Sequence, residues 1–348
     1  MRMSRGRLLR LIISVAFYLL LIALPLYASQ YTVTTFIRII YFGFLSVSTG
    51  YLIGQGGMVS LTQAAFFGIA GYGLGLFGYE RGIPFPLADI LAILLVLIFA
   101  TVFGLIANRA QKIVFLMITL AFGQVVFAFA LQNTTLLHGW AGIRGIRPPT
   151  VLGIDFNVTA NFYWASLAIY SLALLILWRI VKSPFGLMLN GSRESSQRMV
   201  ALGYPVYWIR VVAFLIAAVY AGIGGLLATY NTGVITPTTM QLSRMIWVLL
   251  MVILGGASYF WGPVLGTVVA VWLDVLISQV TERYSTVIGI IFVLTVLFSP
   301  TGILGFLDRI WKQNRIPWLR KIFEVEKEPE KEDSQRGGSS FDSTKNST

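Results

Sequence analysis

The sequence contains no cysteine and a single histidine, His138. Without cysteine the chain cannot form disulfides, hold an iron–sulfur cluster through thiolates or use a thiol as nucleophile. One histidine cannot build a multi-histidine metal site, and most structural zinc sites need cysteine as well. These absences exclude the commonest metal-dependent and thiol-dependent enzymes.

Charge is also scarce in this chain. Charged residues make up 11% of the 348 residues and hydrophobic residues 57%, whereas soluble domains carry roughly 25% charged residues. A soluble protein so poor in charge could not cover its surface with polar groups. Apolar runs recur along nearly the whole chain at about the 20-residue length of a membrane-spanning helix. We therefore predict an all-α, polytopic integral membrane protein.

Ten apolar runs are expected to cross the membrane as helices. We interpret the first as a retained helix and not as a cleaved signal peptide, because it is long and lacks a small-x-small cleavage site. The third run is rich in glycine and the eighth is short. The ten runs are residues 11–28, 35–53, 60–78, 87–107, 113–131, 161–180, 209–230, 243–254, 262–280 and 285–304.

The net charge of +12 indicates orientation more than nucleic-acid binding. With the N-terminus inside, the short cytoplasmic segments and their flanks hold eleven basic residues against one acid, Glu194, as the positive-inside rule requires. We therefore expect both termini in the cytoplasm. The predicted organisation is a basic N-terminus at 1–10, a transmembrane domain at 11–307 with a cytoplasmic loop at 181–208, and a tail at 308–348, disordered from about residue 327.

A glycine-rich break separates the second and third runs. Glycines give the backbone freedom there, and polar side chains follow within a few residues. Irregular backbone at membrane depth is tolerated only where it is buried in protein or lines a cavity. A tight turn and a lining of a pathway are both compatible with this composition. The candidate pathway residues in the break are Gly54, Gln55, Gly56, Ser60, Thr62 and Gln63.

Two further stretches are candidates for the same pathway. Thr119 and Gln124 lie in the fifth run and serve either as inter-helix hydrogen-bonding groups or as pathway lining. A second glycine-rich break at 254–266 follows an inward-running span, as the first does. Its position suggests that the two breaks are corresponding elements of a repeat.

Charged residues inside membrane spans are costly and are functional candidates by default. Asp274 lies near the middle of the ninth run and is a further candidate pathway residue, although we expect a structural pair with Arg244 or with a partner's polar groups in preference to substrate contact. Arg38 is expected to extend to the outer interface. We expect the Asp89 side chain to be solvated at the membrane interface and His138 to be a solvated residue of an outer loop.

The loop at 181–208 contains a segment with two faces. As one helix it would have Ser192 as N-cap and Gly203 as its stop, with apolar Met199, Val200 and Leu202 opposite charged residues. Such a helix suits docking on a soluble partner, and the alternative is a membrane-surface helix that docks on nothing. No lysine follows a glycine anywhere, so the chain has no P-loop, and any ATP must be bound by another chain.

Six motifs, in order and at characteristic spacing, resemble the permease subunits of branched-chain amino acid ABC transporters of the LivM type. The resemblance covers roughly residues 10–310. The motifs are GQGGMVSLTQAAFFGIAGY at 54–72, ITLAFGQ at 118–124, RESSQRMVALG at 193–203, AFLIAAVYAGIGG at 213–225, LGGASYFWGPVLG at 254–266 and LFSPTGILG at 297–305.

The resemblance implies a multi-pass permease of a prokaryotic inner membrane, surrounded by lipid and without nucleic acid. It implies a second related permease subunit, two cytoplasmic ATPase subunits that bind the ATP, and an extracytoplasmic solute-binding protein, with no cofactor or catalysis in this chain. It also implies that one segment couples the permease to an ATPase. The coupling residues would be Arg193, Glu194, Ser195, Gln197, Arg198, Met199, Ala201, Leu202 and Gly203.

Two departures from the family pattern bear on this expectation. The outer loop at 138–146 keeps glycines but loses a threonine-containing element, which leaves urea or short amides open as substrates beside leucine, isoleucine and valine. The coupling segment has RESSQ where a more acidic run is common, which leaves the ATPase pairing open. An ion-coupled carrier is a remote alternative, since only Asp274 would fit it, and a membrane enzyme is weaker still.

Overall fold

The computed structural model of the protein describes residues 21–110, 112–151, 153–280, 289–290 and 302–306. Most of the first and tenth predicted spans, both termini and the tail lie outside these residues. The helices are α1 (Gln30–Gly56), α2 (Gln63–Leu74), α3 (Leu87–Ala107), α4 (Lys112–Gln132), α5 (Thr159–Lys182), α6 (Pro184–Glu194), α7 (Ser196–Ala201), α8 (Val206–Thr232), α9 (Leu242–Gly255) and α10 (Gly262–Val280).

These helices agree with the predicted spans from 35–53 to 262–280 to within a few residues. Among the residues that the structure describes, six helices are long and apolar enough to cross a membrane: α1, α3, α4, α5, α8 and α10. A π-helical stretch, Gly75–Glu80, extends α2. The third span was predicted to begin at Ser60, but α2 begins only at Gln63. The chain is an all-α polytopic membrane protein.

Helices α1, α2 and α8 form the centre of the bundle, with every residue of α2 buried, and the outer helices include α3 and α4. In the most apolar 18-residue stretch of each helix, 83% of the residues are buried in α1 and 72% in α8, against 28% in α3 and in α4. Apolar side chains of the outer helices, such as Ile90 and Ile113, are exposed. Exposed apolar surface of this extent suits contact with lipid.

Small residues allow α8 to approach both α1 and α2 closely. A side chain at Gly225 would overlap the carbonyl group of Phe67 in α2, and one at Gly224 would lie 2.9 Å from the Tyr41 carbonyl oxygen in α1. Helices in membranes pack through small residues in this way, because lipid supplies no hydrophobic drive for their association. The glycines of α8 therefore hold the centre of the bundle together.

The two ends of the bundle differ in chain structure. At one end, here called the loop end, strand β1 (Ile143–Arg144) pairs antiparallel with β4 (Val234–Ile235), and β2 (Thr150–Val151) with β3 (Ile154–Asp155). The other end, here called the basic end, carries residues 108–110, helices α6 and α7, and both glycine breaks.

His138 lies at the loop end and was expected to be solvated. The residue is exposed as expected, and its Nε2 atom also lies 2.7 Å from Oε1 of Glu80. The imidazole thus joins the loop after α4 to the end of the helical stretch that follows α2, and the sequence could not reveal this pair because the two residues are 58 positions apart.

Candidate functional site

The first break begins where α1 ends. Gly57 has a left-handed conformation (φ 62°), and its N–H donates to the Ile53 carbonyl, while the Met58 N–H donates to the Leu52 carbonyl. This pattern closes a helix at a glycine because a side chain would be strained there. The chain then runs without helix to Gln63, and Ser60 and Thr62 within it are almost completely buried.

Side-chain hydrogen bonds satisfy this buried, irregular backbone. The Leu61 N–H donates to the Thr119 hydroxyl (3.3 Å), and the Thr62 hydroxyl donates to the Thr119 carbonyl (2.9 Å). The Ser60 hydroxyl accepts from the Thr62 N–H (3.3 Å). Thr119 therefore bridges α4 to the break. These bonds show its hydrogen-bonding role, and a role as pathway lining stays a prediction.

Two amide groups near the break retain unused donors. The Gln63 side chain accepts through Oε1 from the Ser48 hydroxyl at 2.9 Å. Its Nε2, and Nε2 of Gln124, are buried and have no hydrogen-bond partner among the described residues. A buried donor without an acceptor costs about 1–3 kcal/mol. Because the Ser48 hydroxyl also lies 2.7 Å from the Ala217 carbonyl oxygen and has a single proton to donate, rotating the Gln63 amide would let its Nε2 donate to Ser48.

The two breaks contact each other through α1. A side chain at Gly54 would overlap the carbonyl oxygen of Ala257, and one at Gly50 would overlap the Pro263 ring. The Ser46 hydroxyl donates to the Pro263 carbonyl at 3.0 Å. Gln55 is buried in the same turn of α1. The last turns of α1 thus pack against the beginning of α10.

The predicted coupling segment is divided between two helices. Helix α6 continues through Ser192 to Glu194, so Ser192 is not an N-cap, and its buried hydroxyl donates to the Leu189 carbonyl (2.7 Å). The chain kinks at Ser195, which is extended (φ −155°), and the Ser195 hydroxyl caps α7 by accepting from the Arg198 N–H. The prediction of one helix was wrong in this respect. Gly203, with φ 85°, lies just past α7 as predicted.

The outer surface of α7 and the turn after it is exposed and partly apolar. Val200 is 62% exposed and Leu202 73% exposed. Met199 turns inward, since its sulfur lies where a side chain at Gly191 would begin. The remaining predicted coupling residues on this surface are also exposed: Gln197, Arg198, Ala201 and Gly203.

Arg193 connects this segment to the first break. Its guanidinium donates from Nη1 to the Gly54 carbonyl oxygen, which is one of the last carbonyls of α1. Its side chain also covers Gly57, where an added Cβ would meet Arg193 Cγ at 2.8 Å. Arg193 therefore joins the end of α6 to the end of α1.

A cavity of about 320 Å³ opens beside this contact. Its charged lining is predominantly basic, with Glu194 as the acid. The Arg210 guanidinium, from the start of α8, donates to the Ser196 hydroxyl at 2.7 Å and so ties α7 to the core. Sequence reasoning missed Arg210 as part of this site, although an arginine just inside an apolar run was a signal for it. The polar and charged lining residues are Asn108, Lys112, Arg193, Glu194, Ser195, Ser196, Gln197 and Arg210.

Asp274 lies away from the break and has a different partner from the one predicted. Its Oδ2 pairs with Nη2 of Arg38 at 2.6 Å, so Arg38 is held in an ion pair, and the structural pair expected for Asp274 is formed with this arginine. The reason is the antiparallel packing of α1 on α10, which is fixed at Pro263 and brings these two residues level. Arg38 and Gly54 are separated by roughly 24 Å along the helix at 1.5 Å per residue.

Asp89 also has a protein partner. Its carboxylate accepts a hydrogen bond from the Tyr230 hydroxyl at 2.7 Å, so interfacial solvation alone does not account for it. Its position in the first turn of α3 also suits the positive end of the helix dipole. This contact joins α3 to the end of α8 and lies outside the candidate site.

Comparison with known proteins identifies a family over most of the chain. The family model described as "Branched-chain amino acid transport system / permease component" matches residues 31–296. The high-affinity branched-chain amino acid transport system permease protein LivM of Escherichia coli K12 is 26% identical over 313 residues, covering 83% of this chain and 74% of the relative.

A similar relative comes from an archaeon. The probable branched-chain amino acid transport permease protein LivM of Methanocaldococcus jannaschii is 24% identical over 312 residues, covering 81% of this chain and 88% of the relative. No solved structure matches the chain.

Proposed function

Because the chain belongs to the family of permease components of branched-chain amino acid transport systems, we propose that it is one permease subunit of an ABC importer for leucine, isoleucine and valine. It crosses the membrane ten times with both termini in the cytoplasm. Together with a second permease it forms the translocation pathway, and a solute-binding protein outside delivers the substrate. Two ATPase subunits bind and hydrolyse the ATP, and this chain catalyses no reaction.

The observation that supports coupling is the contact of Arg193 with Gly54. An ATPase docked on the exposed surface of Val200 and Leu202 would move α7 and the end of α6. Arg193 would pass this movement to the last turn of α1 and hence to the first break. The buried side chains of that break, including Gln63 and Thr62, would then exchange hydrogen-bond partners between inward-facing and outward-facing states.

The basic character of this end supports the cytoplasmic placement of the docking surface. Among the described residues it carries Arg109, Lys112, Arg193 and Arg198 against Glu194, and short cytoplasmic loops are enriched in lysine and arginine. The orientation can be tested by labelling single cysteines in the otherwise cysteine-free chain with an impermeant thiol reagent.

Arg193→Ala tests the coupling role. We expect the intact complex, purified from its host through a tag on this chain, to retain its ATPase subunits and basal ATP hydrolysis. Uptake of radiolabelled leucine into proteoliposomes should fall at least about tenfold, because a loss of 1.4 kcal/mol in coupling is already a factor of ten. Arg179→Ala is the matched control, since Arg179 is exposed at the end of α5 and should leave uptake unchanged.

Two outcomes would contradict the proposal. If Arg193→Ala transports leucine at the wild-type rate, the contact with Gly54 does not couple the subunits. If the purified wild-type complex contains no ATPase subunits, the chain is not an ABC permease, and an ion-coupled carrier becomes the better account.

A further inference from the structure

The cavity of about 320 Å³ at the basic end contains side chains that the proposed coupling does not use. The segments around it include the first turn of α4, the end of α6 and the start of α8. Among the described residues, its charged lining consists of Lys112, Arg193 and Arg210 against Glu194, which leaves a net charge of +2. Basic pockets between transmembrane helices on the cytoplasmic side are typical binding sites for lipid head groups. The charge of the lining therefore favours an anion.

The three cations retain N–H groups with which to bind such an anion. Among the described residues, none of the three forms an ion pair with a carboxylate. Arg193 donates from Nη1 to the Gly54 carbonyl, and Arg210 donates from Nη2 to the Ser196 hydroxyl. Nε of Arg210 is buried and has no partner in the described part of the chain. Because a guanidinium binds phosphate oxygens through parallel hydrogen bonds, the remaining N–H groups suit a phosphate.

A buried amide beside these cations lacks a donor. Asn108, just past the end of α3, is 5% exposed, and its Nδ2 donates to the Gly104 carbonyl at 2.8 Å. Since that carbonyl can only accept, the orientation of the amide is fixed. Oδ1 of Asn108 is thus left buried without a partner among the described residues. Asn108 lines the same cavity as Arg210, so a ligand with both an anionic oxygen and a hydroxyl is complementary to the site.

The first turn of α4 connects the cavity with the lipid-facing surface. Lys112 lines the cavity and has a positive φ of 52°, a strained conformation of the kind that clusters at functional sites. The next two residues, Ile113 and Val114, are exposed. The N–H groups at the start of an α-helix also favour an anion. A lipid with its acyl chains on α4 would therefore have its phosphate level with the cavity.

We propose that this cavity binds a phosphate group that has a hydroxyl beside it. Two sources share this chemistry: an anionic phospholipid with a glycerol head group, and free hydrogen phosphate. The phosphate oxygens accept from Arg210, Arg193 and Lys112, and the hydroxyl donates to Oδ1 of Asn108. The bound group joins α3, α4, α6 and α8 beside the coupling segment. The proposed function requires no anion at this place, so the site is an addition to it.

Photoreactive lipids test the site on the intact complex. Each lipid carries a diazirine at the head-group end of one acyl chain, and the labelled residues of this chain are mapped by mass spectrometry. We expect phosphatidylglycerol to label Ile113 and Val114 at least about tenfold more than phosphatidylcholine, which has no net charge, because charged hydrogen bonds contribute a factor of this size. Phe129, exposed at the other end of α4, should be labelled equally by both lipids.

Arg210→Gln and Lys112→Gln each remove a cation from the site, and Arg109→Gln is the matched control. Arg109 is exposed at the same end of the bundle but does not line the cavity. Labelling by phosphatidylglycerol should fall at least about tenfold in Arg210→Gln. It should fall severalfold in Lys112→Gln, an exposed position where the change leaves the core intact, and should stay the same in Arg109→Gln.

A third variant, Asn108→Leu, tests recognition of the hydroxyl. Phosphatidylmethanol has the same charge as phosphatidylglycerol but no head-group hydroxyl. The wild-type complex should be labelled more by phosphatidylglycerol than by phosphatidylmethanol. Because Asn108→Leu removes the acceptor, the two lipids should label this variant equally.

A second arm tests free phosphate. Inorganic phosphate should raise the unfolding temperature of the complex more than sulfate, which has no hydroxyl at neutral pH. That difference should be lost in Arg210→Gln and kept in Arg109→Gln, while phosphate bound to the ATPase subunits acts equally in all variants. Preferential labelling by phosphatidylglycerol without this shift identifies the lipid as the ligand, and the shift without preferential labelling identifies free phosphate.

The site is overturned if both arms fail, that is, if all lipids label the start of α4 equally and phosphate stabilises the wild type and Arg210→Gln alike. Equal losses in Arg109→Gln and Arg210→Gln would also overturn it, because they would indicate attraction to a basic surface. Neither result affects the importer function, which is tested separately by leucine uptake.

Discussion

The first break, residues 54–62, is joined to α4 and α6 by polar side chains and to the second break, residues 255–261, by a close backbone approach at Gly54, whereas the second is joined to α10 by backbone contact at glycines. Thr119 and Arg193 reach the first break from other segments through hydrogen bonds. In the second, a side chain at Gly255 would overlap the carbonyl group of Gly262, and one at Gly266 would overlap the carbonyl oxygen of Met251. The two breaks are both rich in glycine, yet they form two different structures.

The difference indicates which break can move. Hydrogen bonds to side chains can be exchanged for others at little net cost, since each contributes only about 0.5–1.5 kcal/mol. Backbones in direct contact at glycines cannot separate without opening a void, and interiors tolerate voids poorly. We therefore expect any movement to lie in the polar part of the first break, residues 58–62, and the second break to stay fixed together with Gly54.

We expect the largest loss of stability when an added methyl group fills the close contact beside the second break. Gly266→Ala would place a methyl group on the Met251 carbonyl and 2.8 Å from the Gly255 nitrogen. We expect a destabilisation of about 3 kcal/mol or more, seen as a lower unfolding temperature and loss of the monodisperse peak. Gly78→Ala is the control, because its nearest neighbours lie at an ordinary 3.4 Å. Equal behaviour of both variants would contradict the close contact.

An intermediate effect is expected from Thr119→Val in the first break. This change leaves the Leu61 N–H buried without an acceptor, which costs about 1–3 kcal/mol, measured as a shift in thermal unfolding. Thr101→Val is the control, since the exposed Thr101 hydroxyl donates only to the Leu97 carbonyl of its own helix. A shift no larger than that of the control would mean that Thr119 does not support the break.

The smallest effect concerns the contact between Gly57 and Arg193. Gly57→Ala strains a left-handed position by roughly 1–2 kcal/mol and displaces the Arg193 side chain. In an Arg193→Ala background only the strain should remain. A double-mutant cycle on the free energy of unfolding should therefore give a coupling energy of about 0.5 kcal/mol or more between the two residues. Gly203→Ala supplies the strain alone, because its φ is 85° and nothing lies within 4 Å of the added carbon. If the effects of Gly57→Ala and Arg193→Ala on the free energy of unfolding were additive, the two residues would not be in contact.

Apolar periodicity and composition were sufficient to predict the membrane-spanning helices among the described residues. The bounds of α3 and α10 were predicted to the residue, because a span in lipid must be helical and its length is set by the bilayer. The family could also be recognised from the sequence, and the match over residues 31–296 confirms it.

The partners of individual polar residues could not be predicted. Asp274 pairs with Arg38, 236 positions away, and only the packing register of α1 on α10 determines this. The position of the N-cap at Ser195 was missed for a related reason. Ser192, Ser195 and Ser196 are all suitable caps by type, and the choice depends on where α6 is held by its contact with the first break. The roles of the coupling and pathway residues stay predictions.

Hydrogen–deuterium exchange on the intact complex tests the central claim most directly. Peptides covering residues 54–63 and 254–262 would be compared with and without ATP and vanadate, which trap the ATPase subunits. We predict that exchange in the first break changes at least severalfold and that exchange in the second stays the same, with the difference lost in Arg193→Ala. An unchanged first break, or a change confined to the second, would contradict the account.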